Sequence, residues 1–368
     1  VRAQAALAAA SGTAARLLTP ILLKSWARND VWRCALESPS PGLPASVIVK
    51  HFKGEPERGF DEWAALAFLT TQPIEPPSAP RFLAGDAAAR VFVMEDLGPG
   101  PSLENLLREA DAAPAEAGLV NVARLTGRLH ASLMHAATEF DRQREALAPR
   151  VTSPITAAAA LLRNERGRIA AWLTAAGVSP APDLPLTIEA VSHAVERPGP
   201  FATFTHGDMA PSNNHFTPAT VRLLDFEYAG VRHALYDALL WTLFCPFPAP
   251  LIERADAAYR AALAAGCPGA RDDRTYVRAR ATVAAWRTLN LLQWLPPSLL
   301  AADQPWAPGV SARQAVLWHL TRFSALASDV SELAPLIETL ADLAHVLGPR
   351  WAPTEPSLVW PAFRVRPS

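Results

Sequence analysis

The chain has 368 residues, of which 50% are hydrophobic and 19% charged, and its formal net charge is −1. That balance excludes a partner held by bulk electrostatics, whether nucleic acid or an anionic membrane surface. The length exceeds what a single hydrophobic core usually serves, so two lobes are expected. No apolar run reaches membrane-spanning length. Cys34, Cys245 and Cys267 are far apart and odd in number. They show neither metal-ligand spacing nor a disulfide framework, which predicts a cytoplasmic, reducing setting.

The opening stretch VRAQAALAAASG is alanine-rich and weakly apolar, and predicts a helix leading into the fold. Residues 20–96 read as β-rich. VWRCAL (31–36) and SVIVKHF (46–52) are β-branched or aromatic runs separated by the turn segment ESPSPGLP (37–44). FDEWAALAFLTT (60–71) reads as a helix between Pro/Gly-containing loops. VFVMEDL (91–97) reads as a strand ended by GPGP, with a connector over residues 94–101.

Beyond the connector the pattern turns helical. Helices are predicted over 115–138, 155–177, 235–244, 251–266, 275–295, 312–328 and 331–347, and no internal repeat is visible. The expected fold class is therefore α+β, with a small β-rich lobe and a larger, mostly helical one.

Lysine is confined to Lys24, Lys50 and Lys53, so each carries weight. On the strand VIVKHF, Ile48, Lys50 and Phe52 share one face and Val47, Val49 and His51 the other. An ammonium on so apolar a strand needs an anion. The 60–71 helix is apolar nearly all round, and Glu62 sits among its buried positions. A strand lysine paired with a helix glutamate beside nucleotide phosphates is the kinase arrangement; the alternative is a surface pair of little worth.

FTHGDMAPSNNHFTPATVRLLDFEYAG (204–230) sets Asp208 and Asp225 at the ends of apolar runs, where a carboxylate is costly without a positive partner. Asn213 and Asp225 offer the hard oxygens that Mg²⁺ takes alongside phosphate and water. Asp208, five residues before Asn213, starts the loop and faces a substrate hydroxyl in this reading. A divalent metal carrying a nucleoside triphosphate would supply the missing positive charge.

HGDMAPSN (206–213) followed by LLDFEYAG (223–230) resembles the aminoglycoside phosphotransferase and choline kinase superfamily, small-molecule kinases of protein-kinase-like fold. VIVK, FDEWAALAFL, VFVMEDLG, LTGRLHA (125–131) and LYD (235–237) extend the likeness, which spans residues 20–245 in order. It implies a bilobal fold: an N-terminal nucleotide-binding lobe over 1–97 and a C-terminal catalytic and acceptor-binding lobe over 98–368. It implies Asp208 as catalytic base, Asn213 and Asp225 as Mg²⁺ ligands, and Lys50, oriented by Glu62, on the α- and β-phosphates of ATP. The backbone around Glu95 and Leu97 would meet the adenine. His206 would brace the loop, and Asp237 would anchor it through backbone amides. Glu227 would approach a second metal or make a structural hydrogen bond. The segment expected over the phosphates, SWARNDVW (25–32), has no glycine, so Ser25, Arg28 and Asn29 would donate from side chains instead.

From residue 245 on, twelve arginines face ten acidic residues, which disfavours a polycationic acceptor. Trp241, Trp286, Trp294, Trp306 and Trp318 suit a sugar, a nucleoside or a quaternary ammonium, or else are core. The acceptor expected is a small hydroxylated molecule, an amino alcohol, sugar, nucleoside or antibiotic, with no nucleic acid and no membrane as partner. Two rival readings are a metal-dependent hydrolase with His206, Asp208, Asp225 and Glu227 as ligands, and a nucleotide-binding pseudokinase.

Overall fold

Strands β1 (Arg16–Ser25), β2 (Asn29–Glu37), β3 (Ser46–Phe52), β4 (Phe82–Asp86) and β5 (Val91–Glu95) form an antiparallel sheet in the order β1-β2-β3-β5-β4. This computed structural model describes the chain except residues 13–15, 38–42, 151–152, 156, 158–159, 161, 163–165, 308–309, 352–359 and 365–368. The turn predicted over 37–44 lies mostly outside the described residues.

The two faces of β3 separate as its alternation dictates. Val47 and Val49 join Cys34, Leu36 and Val93 under helix α1 (Arg2–Ser11), which contributes Ala3 and Leu7. Ile48, Lys50 and Phe52 turn to the other face, where helix α2 (Pro56–Thr71) lies. Its aromatic side chains interlock with those of the sheet: Phe60 meets Phe52 with ring centroids 4.9 Å apart, and Trp63 meets Phe82 at 5.4 Å. Gly59 and Gly85 are required by this contact. A Cβ at either would fall 2.2 Å from the Phe52 ring or 2.1 Å from the Trp63 ring.

The described chain divides into two compact units. The first comprises Val1–Asn105, His135–Val151 and His206–Gly230; the second comprises Leu106–Met134, Thr152–Thr205 and Val231–Ser368. The single helix predicted over 115–138 is in fact two. After the short α3 (Leu103–Arg108) come α4 (Ala112–Leu133) and α5 (Ala137–Leu147). The break lets α5 pack on α2, with Phe140 on Phe68 at 5.5 Å and the buried Arg144 on Asp61 at 2.6 Å. Arg150 reaches the same carboxylate at 2.8 Å. These partners are remote in sequence, so periodicity alone does not reveal the break.

Four short strands follow, β6 (Ala202–Thr205), β7 (Asn214–Phe216), β8 (Val221–Leu223) and β9 (Gly230–His233); β7 pairs with β8 and β6 with β9. The β7–β8 hairpin hangs on residues 101–104. Phe216 N donates to Pro101 O at 2.9 Å, and Leu103 N donates to Asn214 Oδ1 at 2.7 Å.

The second unit is mostly helical. The predicted 155–177 helix falls partly outside the described residues and is continuous from Arg166 to Ala176. Asp272 caps Asp273–Trp294 by accepting from Thr275 N, and Ser311 with Gln314 forms a capping box on Ala312–Ala327. The run 235–244 is α-helical over Leu235–Leu239 and then widens to a π-helix over Leu240–Phe244. Trp318 Nε1 and Arg322 Nε donate to the Leu243 and Thr242 carbonyls of that wider turn, at 2.6 and 3.4 Å. Trp241 and Trp286 are core, whereas Trp294 and Trp306 stay exposed. No described helix is long and apolar enough to cross a membrane. The chain is thus an α+β protein with a β-rich N-terminal sheet and a larger, mostly helical remainder.

Candidate active site

Lys50 projects from β3 towards α2, where its side chain is only 7% exposed. It bonds to Glu62 Oε2 and, at 2.9 Å, to Asp225 Oδ1. Three residues far apart in the chain therefore meet at one ammonium. Burial works against the charge of Lys50, but Glu62 and Asp225 outweigh it and hold the ammonium well above its ordinary value. Burial pushes the Glu62 carboxyl up to about 7 against the pull of Lys50. Asp225 is driven up by burial but pulled further down by Lys50, so it is ionised at neutral pH.

Asp225 also carries backbone strain. Its φ is 62°, a left-handed conformation uncommon outside glycine and tolerated best after it by asparagine and aspartate. The strain turns its carboxylate to Lys50 while the main chain stays fastened: Leu224 N donates to Asn213 O at 3.0 Å, and Leu223 N to Ser78 O at 2.7 Å. Oδ1 meets Lys50, and the Asp225 side chain is 32% exposed.

The loop before β7 is equally fixed. Gly207 adopts φ 85°, which lets the chain turn between His206 and Asp208. Asn213 Nδ2 donates to Asp208 O at 3.0 Å and to Asp208 Oδ2 at 3.1 Å. His206 is buried beneath. Its Nδ1 accepts from Asp208 N at 3.2 Å and its Nε2–H donates to Leu224 O at 2.7 Å. Both bonds require the Nε2–H tautomer, so His206 ties the loop to the Asp225 segment, the bracing role expected of it. Asn214 is a buried staple whose Nδ2 donates to Pro211 O at 3.0 Å.

The oxygen donors of Asn213 and Asp225, with Asp225 ionised, fit a hard divalent cation. Among the described residues no group of three His, Cys, Asp or Glu is placed to hold a metal. The four-ligand cluster that the hydrolase reading requires is therefore not formed.

Strand β5 stops at Glu95 instead of running on to Leu97. The carboxylate of Asp96 ends it, accepting from Arg33 Nη2 at 3.1 Å, Ser46 Oγ at 2.7 Å and Gly98 N at 3.0 Å. Glu95 turns its side chain back to Arg81 N at 3.1 Å, and its own N–H donates to Arg81 O at 2.8 Å. Asp96 thus shapes the segment holding Glu95 and Leu97. The Glu–Asp–Leu–Gly run contains it, but nothing in the run says which acid turns inward.

In the β1–β2 turn, Ser25 Oγ donates to Asp30 Oδ1 at 2.6 Å and Arg28 Nη1 lies 3.0 Å from Glu227 Oε1. Glu227 is held above its ordinary value by burial and Asp225, with Arg28, Lys50 and Arg58 pulling the other way. In the second unit, Asp237 is buried against His130 Nε2 at 3.1 Å, and His130 Nδ1 meets Tyr259 Oη at 3.0 Å. His130 is therefore a hydrogen-bonded link as well as a packed side chain.

Residues 22–272, which include every site residue above, match the phosphotransferase enzyme family, APH. The chain belongs to that family. The phosphotransferase is also similar in fold to the choline kinase LicA from Streptococcus pneumoniae, at 14% identity over 87% of this chain and 94% of that one, with a TM-score of 0.42. A choline kinase from Cryptosporidium parvum Iowa II aligns at 13% identity, over 89% and 93% of the two chains, with a TM-score of 0.45. A choline/ethanolamine kinase family protein from Mesorhizobium loti aligns at 18% identity, over 89% and 92%, with a TM-score of 0.42. Among curated proteins none matches the phosphotransferase. By family it is an enzyme, a small-molecule kinase.

Proposed function

We propose that this phosphotransferase moves the γ-phosphoryl group of ATP, bound with Mg²⁺, to a hydroxyl of a small molecule. The observation that carries the reading is the meeting of Lys50, Glu62 and Asp225. A buried ammonium between two carboxylates is pre-positioned to exchange one of them for phosphate oxygens. Lys50 then holds the α- and β-phosphates, and Glu62 keeps its Nζ in place. Asn213 and Asp225 hold Mg²⁺, which when bound neutralises phosphate charge. Asp208, kept in place by Asn213, orients the acceptor hydroxyl and takes its proton as its oxygen bonds to the γ-phosphorus and the bond from that phosphorus to the departing ADP oxygen breaks. The backbone near Glu95 and Leu97 meets the adenine. A nucleotide-binding lobe over 1–97 and an acceptor lobe over 98–368 are part of the same proposal.

The acceptor is an amino alcohol, sugar, nucleoside or antibiotic. The test is ADP release from ATP and Mg²⁺ across a panel of such acceptors. Release that depends on an acceptor and disappears in Asp208→Asn supports the reading. Nucleotide binding without transfer to any acceptor indicates a pseudokinase instead.

A further inference from the structure

The turn between β1 and β2 consists of Trp26, Ala27 and Arg28, and each of them carries a Cβ. Glycine-rich turns come close to phosphates because their backbone is bare. A turn without glycine needs another means of keeping its place. Here the main chain is fastened first: Arg28 O accepts from Lys53 N at 2.7 Å and from Gly54 N at 3.2 Å. The side chain then leaves the turn for Glu227, two residues beyond Asp225, at 3.0 Å.

This pair differs from an ordinary surface ion pair, which is worth little. The Glu227 side chain is only 8% exposed, and its carboxylate is close enough to Asp225 and Lys50 to feel both charges. Arg58 is a second cation nearby, but its Nη1 is 4.0 Å from Glu227. Arg58 is otherwise engaged, with Nε 2.6 Å from Glu55 and its guanidinium 4.5 Å above the Tyr228 ring. Arg28 is therefore the nearer partner of Glu227.

We infer that Arg28 is a positioning residue for the nucleotide phosphates: its ion pair with Glu227 latches the glycine-free turn to the segment that carries Asp225. The inference rests on the nucleotide reading proposed above. A latch has two halves that work as one. Losing either half unhitches the turn from the Asp225 segment and leaves it with its main-chain bonds to residues 53 and 54, and losing the second half then costs nothing more. It also acts at the phosphates and leaves the nucleoside end alone.

The experiment is calorimetry of Mg·ATP and of adenosine on the full chain, for wild type, Arg28→Met, Glu227→Gln, the double variant and Arg28→Lys, with melting curves alongside. Each single change is expected to weaken Mg·ATP by about tenfold, the double variant no more than the worse single. Adenosine affinity should stay within about twofold in all of them, and Arg28→Lys, which keeps the charge, should recover part of the loss. Wild-type Mg·ATP affinity in Arg28→Met overturns the latch. So do additive losses in the double variant, or equal losses for ATP and adenosine, which mark a merely structural role. A folded wild type that binds no Mg·ATP removes the nucleotide reading itself, and the latch with it.

Discussion

Asn213 reaches back to Asp208 with one amide group, donating to its main-chain oxygen at 3.0 Å and its carboxylate at 3.1 Å. The base and one metal ligand of the proposed mechanism are thus a single hydrogen-bonded unit. Asp208→Asn keeps size and one oxygen but removes the proton acceptor. Turnover is expected to fall by about 10²- to 10⁴-fold. Mg·ATP binding, measured by calorimetry, should persist because Lys50, Asn213 and Asp225 are untouched. Metal and nucleotide affinity lost together with turnover would count against the assignment.

Lys50→Met should abolish turnover and also cost stability. The loss leaves Glu62 buried without its cation, a change that typically costs about 3–5 kcal/mol. Glu62 is already pushed up to about 7, and without Lys50 its carboxyl rises further. In the unfolded chain that carboxyl ionises above its ordinary 4.5, while in the fold it stays protonated up to the raised value, so stability falls across that whole interval as pH rises, and the interval reaches further in Lys50→Met than in the wild type. Urea denaturation of Lys50→Met against wild type at pH 5.5 and 8.5 should show a gap that widens at the higher pH. Adding Glu62→Gln should close much of it.

Burial, with Arg287 adding to it, holds the pKa of the His319 ring down at about 4, against the Nδ1–H bond to Ala315 O at 2.8 Å, which works the other way. It is neutral when folded but takes a proton near 6.5 when unfolded. Its neutral form therefore supports the fold above about pH 6.5, and that support is lost as pH falls towards 4, up to about 3 kcal/mol in all. His319→Gln should flatten the stability-versus-pH curve over that window while costing some stability at pH 8. An unchanged acid limb would show that His319 does not govern it.

Gly59→Ala places a methyl 2.2 Å from the Phe52 ring. Because Phe52 is locked between Phe60 and Phe92, the helix or the ring must shift, at about 1–3 kcal/mol. The helix also carries Glu62, so nucleotide affinity should weaken along with the melting temperature. A lower melting temperature with intact Mg·ATP binding would separate packing from the site.

Regular elements make Lys50 and Glu62 legible in the sequence. VIVKHF alternates and the α2 stretch is apolar all round, so each residue's face follows from its neighbours. Asp208, Asn213 and Asp225 are legible through motif spacing. Strand β1 is not: Pro20, the left-handed Thr19 and two register shifts break its period of two. Strand β4 is short and contains Gly85, a strand-weakening residue whose reason, the Trp63 ring against it, lies in another element. The bonds from Asp61 to Arg144, from Asp96 to Arg33 and from Arg28 to Glu227 join charges with no local signal. Surface charges look the same in sequence until the fold brings one of them inside.

Lys24, Lys50 and Lys53 are the chain's whole complement of lysine, and all belong to the first unit. Amine-directed acylation, apart from the α-amino group, therefore interrogates that unit and nothing else. Only a deprotonated, accessible amine reacts. Lys24 is exposed and the Lys53 side chain is 38% exposed, so both meet the reagent, while Lys50 is shielded and keeps its proton. Labelling at residue 50 then becomes a clock for the opening of the Glu62–Asp225 clasp. It can be read by mass on the native sequence, without a substitution or an introduced probe.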